Sequence, residues 1–260
     1  MISSRRSGEL KKNPALVEMV KPKTRPTVLS CVKDVTEGEA SPDGTLVLLG
    51  GTDLLHFHLR VAQSHIRHDM TPSSWSHAGI VMTGRRGLVL HEVALDPRGG
   101  FLDMPASNGI HTVPIDQYDQ PERFPNLAVL RFPMTPRPGE TVRDAIAKVQ
   151  RERGVLDLTA LILPWLGYTW GAGLPTNPLL SGNGIPSAAF VEAVFAALGI
   201  ELTPGLATRA SCPEAIWQAA RWWHRYYEGP VEGKGAPKAS AKIPRGCYWI
   251  GQKHACLQES

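Results

Sequence analysis

Residues 182–199 read GNGIPSAAFVEAVFAALG, and this stretch decides the fold. Its glycines and Pro186 are typical of a turn. The apolar residues that follow recur at helical spacing as far as Gly199, a residue that favours the end of a helix. Ser187 then lies in the first helical turn, where backbone N–H groups are unpaired and the helix dipole favours negative charge. Ser187 is therefore either the cap of a core helix or a side chain that does chemistry at a helix start.

A predicted β-hairpin lies well upstream of this helix. Two β-rich runs, 75–82 and 87–94, flank a short Gly-rich connection. His77 begins the first run and Glu92 lies in the second, so the two side chains can come within hydrogen-bonding reach. A carboxylate that orients an imidazole prepares it for general-base catalysis. His91 is the reserve partner, although strand alternation turns it to the face opposite Glu92.

Three short motifs resemble one family. SHAGIVM at 76–82 resembles the histidine strand of the circularly permuted NlpC/P60 papain-like superfamily, which includes YiiX-like proteins and relatives of lecithin:retinol acyltransferase. PDGTLVLL at 42–49 resembles the strand that opens this domain, although Thr45 stands where the family has an acidic residue. SAAFV at 187–191 is similar to the family's Cys-x-x-hydrophobic-Val run. The resemblance covers roughly residues 42–200.

This resemblance implies an α+β, papain-like fold in which a small antiparallel sheet packs against the nucleophile helix. It also implies hydrolysis of an amide or ester, with His77 as base and acid, Glu92 orienting it, and residue 187 forming the acyl-enzyme. Backbone N–H groups at the helix start would hold the oxyanion. Neither a cofactor nor a metal is implied.

The chain departs from the family at the nucleophile itself, where Ser187 replaces cysteine. A helix terminus and a nearby imidazolium activate a thiol by lowering its pKa, whereas a hydroxyl gains far less from them. Three explanations stay open: an engineered cysteine-to-serine substitution that silences the enzyme, a natural pseudoenzyme, or a serine variant of the chemistry.

Peptidoglycan stem peptide is the expected substrate, because many members of the family act on the cell wall. The chain would then be a bacterial amidase or endopeptidase, used as a toxin and paired with an immunity or secretion-system protein. The alternatives are an acyltransferase or lipid thioesterase, with the apolar segment 156–180 as a lipid-facing lid, and a non-catalytic binding module.

Composition narrows the class of protein. The 260 residues are 42% hydrophobic and 20% charged, which is typical of a globular chain, and a net charge of only +4 does not indicate a nucleic-acid partner. Basic residues concentrate near both ends of the chain. These ends are either solvated tails or arms attracted to anionic surfaces.

Apolar runs are too short for a transmembrane span, and residues 1–12 lack the apolar core of a Sec signal peptide. The expected route is synthesis in the cytoplasm and export by a contact-dependent secretion system.

Four cysteines, Cys31, Cys212, Cys247 and Cys256, form no Cys-x-x-Cys pair, so neither a zinc ribbon nor a thioredoxin-type site is indicated. The last two are either a disulfide, in an oxidising compartment, or free buried thiols.

The segment 53–69 carries four histidines and supports a rival metal site. Helical spacing argues against that site, because it turns His56 away from the others.

Patterning along the chain predicts three regions: a polar arm at 1–27 with a short helix at 14–20, the permuted domain at 28–228, and a linker and tail at 229–260. Further strands are expected at 27–32, 45–49, 109–115 and 127–132, and a helix at 140–150. Residues 156–186 are predicted as a loop beside a groove. Ser211 to Glu214 has capping-box spacing before an aromatic helix that packs internally, and residues 248–250 are predicted to dock as an edge strand.

Overall fold

The computed structural model describes the backbone of residues 16–18 and the ranges 25–95, 107–133, 141–171, 175–228 and 244–251. These residues form an α+β fold, as predicted. The strands are β1 (Leu16–Glu18), β2 (Thr45–Gly50), β3 (His77–Gly84), β4 (Gly87–Glu92), β5 (His111–Pro114), β6 (Asn126–Arg131) and β7 (Arg245–Ile250). The helices are α1 (Val28–Val35), α2 (Leu54–Ala62), α3 (Val142–Arg151), α4 (Leu158–Trp170), α5 (Pro186–Ala197) and α6 (Pro213–Glu228).

All seven strands join one sheet in the order β1-β7-β6-β2-β3-β4-β5. Neighbouring strands are antiparallel, except that β1 runs parallel to β7. The predicted hairpin at 83–87 is confirmed, since Gly84 pairs with Gly87. No helix in the described ranges is long and apolar enough to cross a membrane.

The sheet separates two hydrophobic clusters. The larger one holds α5 and parts of the other helices against one face, and the smaller one holds α1 against the other. Every residue of α5 from Pro186 to Phe195 is buried, because its alanines, valines and phenylalanines leave no polar face. The helix that begins at the candidate nucleophile is thus the centre of the main core.

The prediction of a strand at 27–32 is wrong. This segment begins α1, and the Thr27 side chain caps the helix by accepting a hydrogen bond from the Ser30 backbone N–H at 3.1 Å. Val28, Cys31, Val32 and Val35 are buried at helical spacing. The β-branched residues in this run had favoured a strand, but packing on the sheet decides in favour of the helix.

The prediction of a loop at 156–186 is also wrong for its first half, which forms α4. Asp157 caps the helix, and Leu158, Leu161, Ile162 and Trp165 are buried along one side. Pro164 lies inside the helix and removes one backbone hydrogen bond. Burial of the apolar side offsets that loss, so the proline does not end the helix.

Both ends of the chain contribute to the sheet. Residues 16–18 form β1 in place of the expected short helix at 14–20. β7 is not an edge strand, because it lies between β1 and β6. Single-sequence patterning misses both pairings of β7, since each brings together segments that are far apart in the sequence.

The aromatic helix α6 packs internally, as predicted, with Ile216, Trp217 and Ala220 buried. The capping-box prediction for Ser211 is wrong, because the Glu214 backbone N–H donates to Gln63 Oε1 at 2.9 Å and the Ser211 hydroxyl donates to Glu192 Oε1 at 3.1 Å. Glu214 instead accepts hydrogen bonds from Arg67 and Ser73. Ser211 and Glu214 therefore bond to residues far away in the sequence and not to each other's backbone.

Glu192 gives a prediction about stability. Burial raises the pKa of this carboxyl, against the opposing effect of hydrogen bonds from Thr203 and Ser211. An acid whose pKa is raised by folding contributes stability that is present below its unfolded pKa of about 4.3 and lost as the pH rises through its folded pKa. We therefore expect the unfolding free energy of the wild type to fall over this range relative to Glu192→Gln, whose side chain stays neutral.

Urea titrations between about pH 4 and about pH 8 measure this difference. The exposed Glu201 supplies the matched control, Glu201→Gln. A difference between wild type and Glu192→Gln that does not change with pH would contradict the prediction.

Candidate active site

The β3–β4 hairpin brings His77 and Glu92 together. Glu92 pairs across the ladder with Gly79, so His77 lies diagonally opposite it. His77 Nε2 and Glu92 Oε2 are 2.9 Å apart, and both side chains are buried. In the tautomer that carries its proton on Nε2, the ring donates to this carboxylate, and Nδ1 is then the nitrogen left to accept a proton.

The reserve candidate His91 lies elsewhere. Its Nδ1 is 3.2 Å from the Thr112 hydroxyl, on the neighbouring strand β5. Burial and the nearby Arg143 lower the pKa of His91. Strand alternation has turned it away from His77, as the sequence predicted.

Tyr118 joins the pair from a short 3-10 helix, Ile115–Tyr118. Its hydroxyl donates to Glu92 Oε2 at 2.6 Å, and its ring stacks on His77 with centroids 6.0 Å apart. The Arg25 guanidinium in turn donates to the Tyr118 carbonyl at 2.6 Å. Sequence reasoning missed Tyr118, because a single tyrosine outside a motif carries no local signal.

Ser187 occupies the second position of α5, directly after Pro186. It does not cap the helix, so the capping interpretation of this serine is wrong: Ile185 is the N-cap residue and makes no side-chain cap. The Ser187 Oγ instead accepts a hydrogen bond from the Ala78 backbone N–H at 3.3 Å. This bond ties the start of α5 to the residue that follows His77.

Ser187, His77 and Glu92 line one cavity of about 70 Å³. His77, the first residue of β3, is part of its lining, which includes residues of both hydrophobic clusters. Leu55 and Leu59 of α2 and Ile185 form apolar walls, and Ser76, Gln117, Tyr118 and Arg123 add polar groups. The volume holds a small number of water molecules.

The arrangement has the parts of a nucleophile, a base and a group that orients the base. Ser187 and His77 line the same cavity, and their side-chain hydrogen bonds run to Glu92 and to the Ala78 backbone and not to each other. The Ser187 backbone N–H lies in the first turn of α5, where helix donors are unpaired and aligned with the dipole. Such donors can stabilise a developing oxyanion.

The histidines of segment 53–69 do not converge on a metal. His56 lines the cavity, with its ring against the edge of Phe124. His58 contacts Tyr168, and His65 Nδ1 is 3.0 Å from the Ala62 carbonyl. Among the side chains that the structure describes, no three of the residue types that bind metals are grouped to hold one.

No protein-family model matches the chain, and no curated protein matches it.

Proposed function

We propose that this chain is a papain-like hydrolase of the circularly permuted NlpC/P60 class, with residue 187 as its nucleophile position. The proposal rests on one observation: Ser187, His77 and Glu92 line a single cavity although they are far apart in the sequence. The buried bond between His77 and Glu92, at 2.9 Å, supports the role of His77 as a base.

The chemistry follows from this geometry. His77 Nδ1 takes the proton of the residue 187 side chain as that side chain attacks the carbonyl carbon. Glu92 stabilises the imidazolium that forms, and helix-start N–H groups hold the oxyanion. Collapse of the tetrahedral intermediate breaks the C–N bond, and His77 gives its proton to the leaving amine. Water activated by His77 then releases the acyl group from residue 187.

The proposed substrate is a peptidoglycan stem peptide, because the three motifs resemble a superfamily with many members that act on the cell wall. The chain would be delivered as a toxin by a contact-dependent secretion system and neutralised by an immunity protein. Serine at position 187 fits an enzyme silenced by substitution, a pseudoenzyme or a slow serine hydrolase. Each of these three explanations predicts a different turnover of an amide or ester substrate.

Purified sacculi test the proposed substrate. The Ser187→Cys variant is incubated with sacculi, and the soluble products are identified by mass spectrometry, with Ser187→Ala as control. Muropeptide fragments cut at an amide bond, released by the cysteine variant only, are expected. Intact sacculi after incubation with a folded Ser187→Cys variant would overturn the proposal.

A lipid substrate is the second candidate, and exposed apolar side chains on two helices favour it. The outward face of α2 carries Leu54 and Phe57, which are 60% and 51% exposed. On α4, Leu163 and Trp170 are 61% and 54% exposed. Helix faces turned to solvent are ordinarily polar, so these exposed apolar side chains suit an acyl chain. An acyl adduct on residue 187 after incubation with phospholipid vesicles would select this alternative.

Tyr118 is expected to act as a positioning residue. Tyr118→Phe removes the hydrogen bond to Glu92 but keeps the ring that stacks on His77. In a Ser187→Cys background we expect kcat/KM to fall by about 10-fold, since hydrogen bonds to charged groups contribute about 1.5–3 kcal/mol. Steady-state kinetics across a pH series measure the effect and reveal any shift in the pH profile.

The thermal unfolding midpoint is the control for Tyr118→Phe. It should move by only a few degrees, because one buried hydrogen bond is lost and no cavity is formed. Unchanged kcat/KM, or a loss that matches a loss of folded protein, would contradict a positioning role.

A further inference from the structure

Two cysteines from opposite ends of the chain meet beneath the sheet. Cys31 lies on α1 and is 0% exposed, and Cys247 lies in β7 and is 5% exposed. Their Sγ atoms are 2.9 Å apart. Both belong to the smaller hydrophobic cluster, in which α1 packs against the face of the sheet that carries Val129 and Cys247.

The sequence alone indicates only Cys256 as a disulfide partner for Cys247. Cys256 lies outside the described residues, whereas Cys31 contacts Cys247 directly. Cys212 belongs to the larger cluster on the other face of the sheet. Burial there raises the pKa of the Cys212 thiol to about 12, which makes it unreactive.

We propose that Cys31 and Cys247 form a modification site: a disulfide that fastens α1 to β7 when the chain meets an oxidising environment. This inference does not depend on the proposed hydrolase function. The pair is suited to it, because the two Sγ atoms are already 2.9 Å apart and need to approach by only about 0.9 Å to reach the length of a disulfide bond.

The reaction balances as a thiol–disulfide exchange. One cysteine thiolate attacks a disulfide oxidant, such as oxidised glutathione or a disulfide oxidoreductase, and displaces one thiolate. The second cysteine then attacks the mixed disulfide, forms the Cys31–Cys247 bond and releases the second reduced thiol. The two cysteines together lose two electrons and two protons, and the oxidant gains them.

Either sulfur can make the first attack, because the two Sγ atoms are in contact and both side chains are buried. Because both sulfurs are buried, the oxidant reaches them only when β7 or α1 opens locally. Oxidation should therefore be slow in the folded protein and faster during folding.

The crosslink should stabilise the fold. It closes a loop between residues separated by 216 positions, which restricts the unfolded chain strongly. For a chain of this size, we expect the thermal midpoint of the oxidised protein to exceed that of the reduced protein by about 5–10 °C.

The test uses the full chain, treated with oxidised glutathione and then with an alkylating reagent under denaturing conditions. Mass spectrometry of a non-reduced digest identifies the linked peptides. We expect a peptide pair joined through Cys31 and Cys247, with Cys212 and Cys256 alkylated. A Cys247–Cys256 link, any other pairing, or four alkylated cysteines would overturn the proposal.

Thermal unfolding with and without reductant tests the stabilising effect. Oxidation should raise the thermal midpoint of the wild type and of Cys212→Ser, and reductant should remove that rise. The thermal midpoint of Cys31→Ser should not rise on oxidation. An equal gain in Cys31→Ser would refute the crosslink as its source. The peptide map is made on the wild type, so it decides the pairing even if Cys31→Ser fails to fold.

Discussion

The Ser187→Cys variant is expected to hydrolyse its amide substrate at least about 100-fold faster than the wild type. A thiol at the second position of α5 lies at the positive end of the helix dipole and shares a cavity with His77. Both features lower a thiol pKa and so produce a ready nucleophile at neutral pH. A hydroxyl in the same place must lose its proton during attack, which raises the barrier.

Release of soluble fragments from sacculi, followed over time, gives the rates. Ser76→Cys is the matched control, because Ser76 lines the same cavity but lies on the segment before β3 and not at a helix start. We expect Ser76→Cys to release fragments no faster than the wild type. Equal rates for Ser187→Cys and the wild type, with both folded, would show that residue 187 is not the nucleophile position.

The second large effect is expected from His77. In the Ser187→Cys background, His77→Ala should lower kcat/KM by about 10³–10⁴-fold, because loss of the general base removes proton transfer to and from the reacting groups. Adding Glu92→Gln to His77→Ala should lower kcat/KM little further, since the effects of substituting residues that act as a unit are not additive. Steady-state kinetics of the single and double variants measure both effects.

His91→Ala is the control for this series. His91 lies one residue from Glu92 and on the same strand, yet its ring contacts Thr112 on β5. We expect the kcat/KM of this variant to stay within about 2-fold of the parent, because His91 is not one of the residues that line the cavity. Comparable losses from His91→Ala and His77→Ala would point to damage to the hairpin and not to catalysis.

Local patterns were sufficient to predict the parts of the fold that form between near neighbours. The glycine-rich connection at 83–87 and its flanking β-rich runs predicted the hairpin, and the hairpin alone places His77 beside Glu92. The apolar spacing of 186–197 predicted α5. In both cases short-range geometry determines the outcome.

The elements that were missed depend on long-range packing. α1 forms because the sheet buries its valines, and α4 tolerates Pro164 because the core holds its apolar side. Tyr118 reaches Glu92 only after the sheet has assembled, so nothing in its own neighbourhood indicated the contact. The contact between Cys31 and Cys247 was missed for the same reason, because 216 positions separate the two residues in the sequence.

The position of β7 has a consequence during synthesis. A ribosome makes the chain from the amino terminus, so β1 and β6 emerge well before the strand that must lie between them. Until residues 245–250 arrive, β6 presents an unpaired edge and β1 has no neighbour to join. Such an edge readily pairs with other chains, so the nascent protein is exposed to aggregation, or open to a chaperone, at β6 until residues 245–250 have been made.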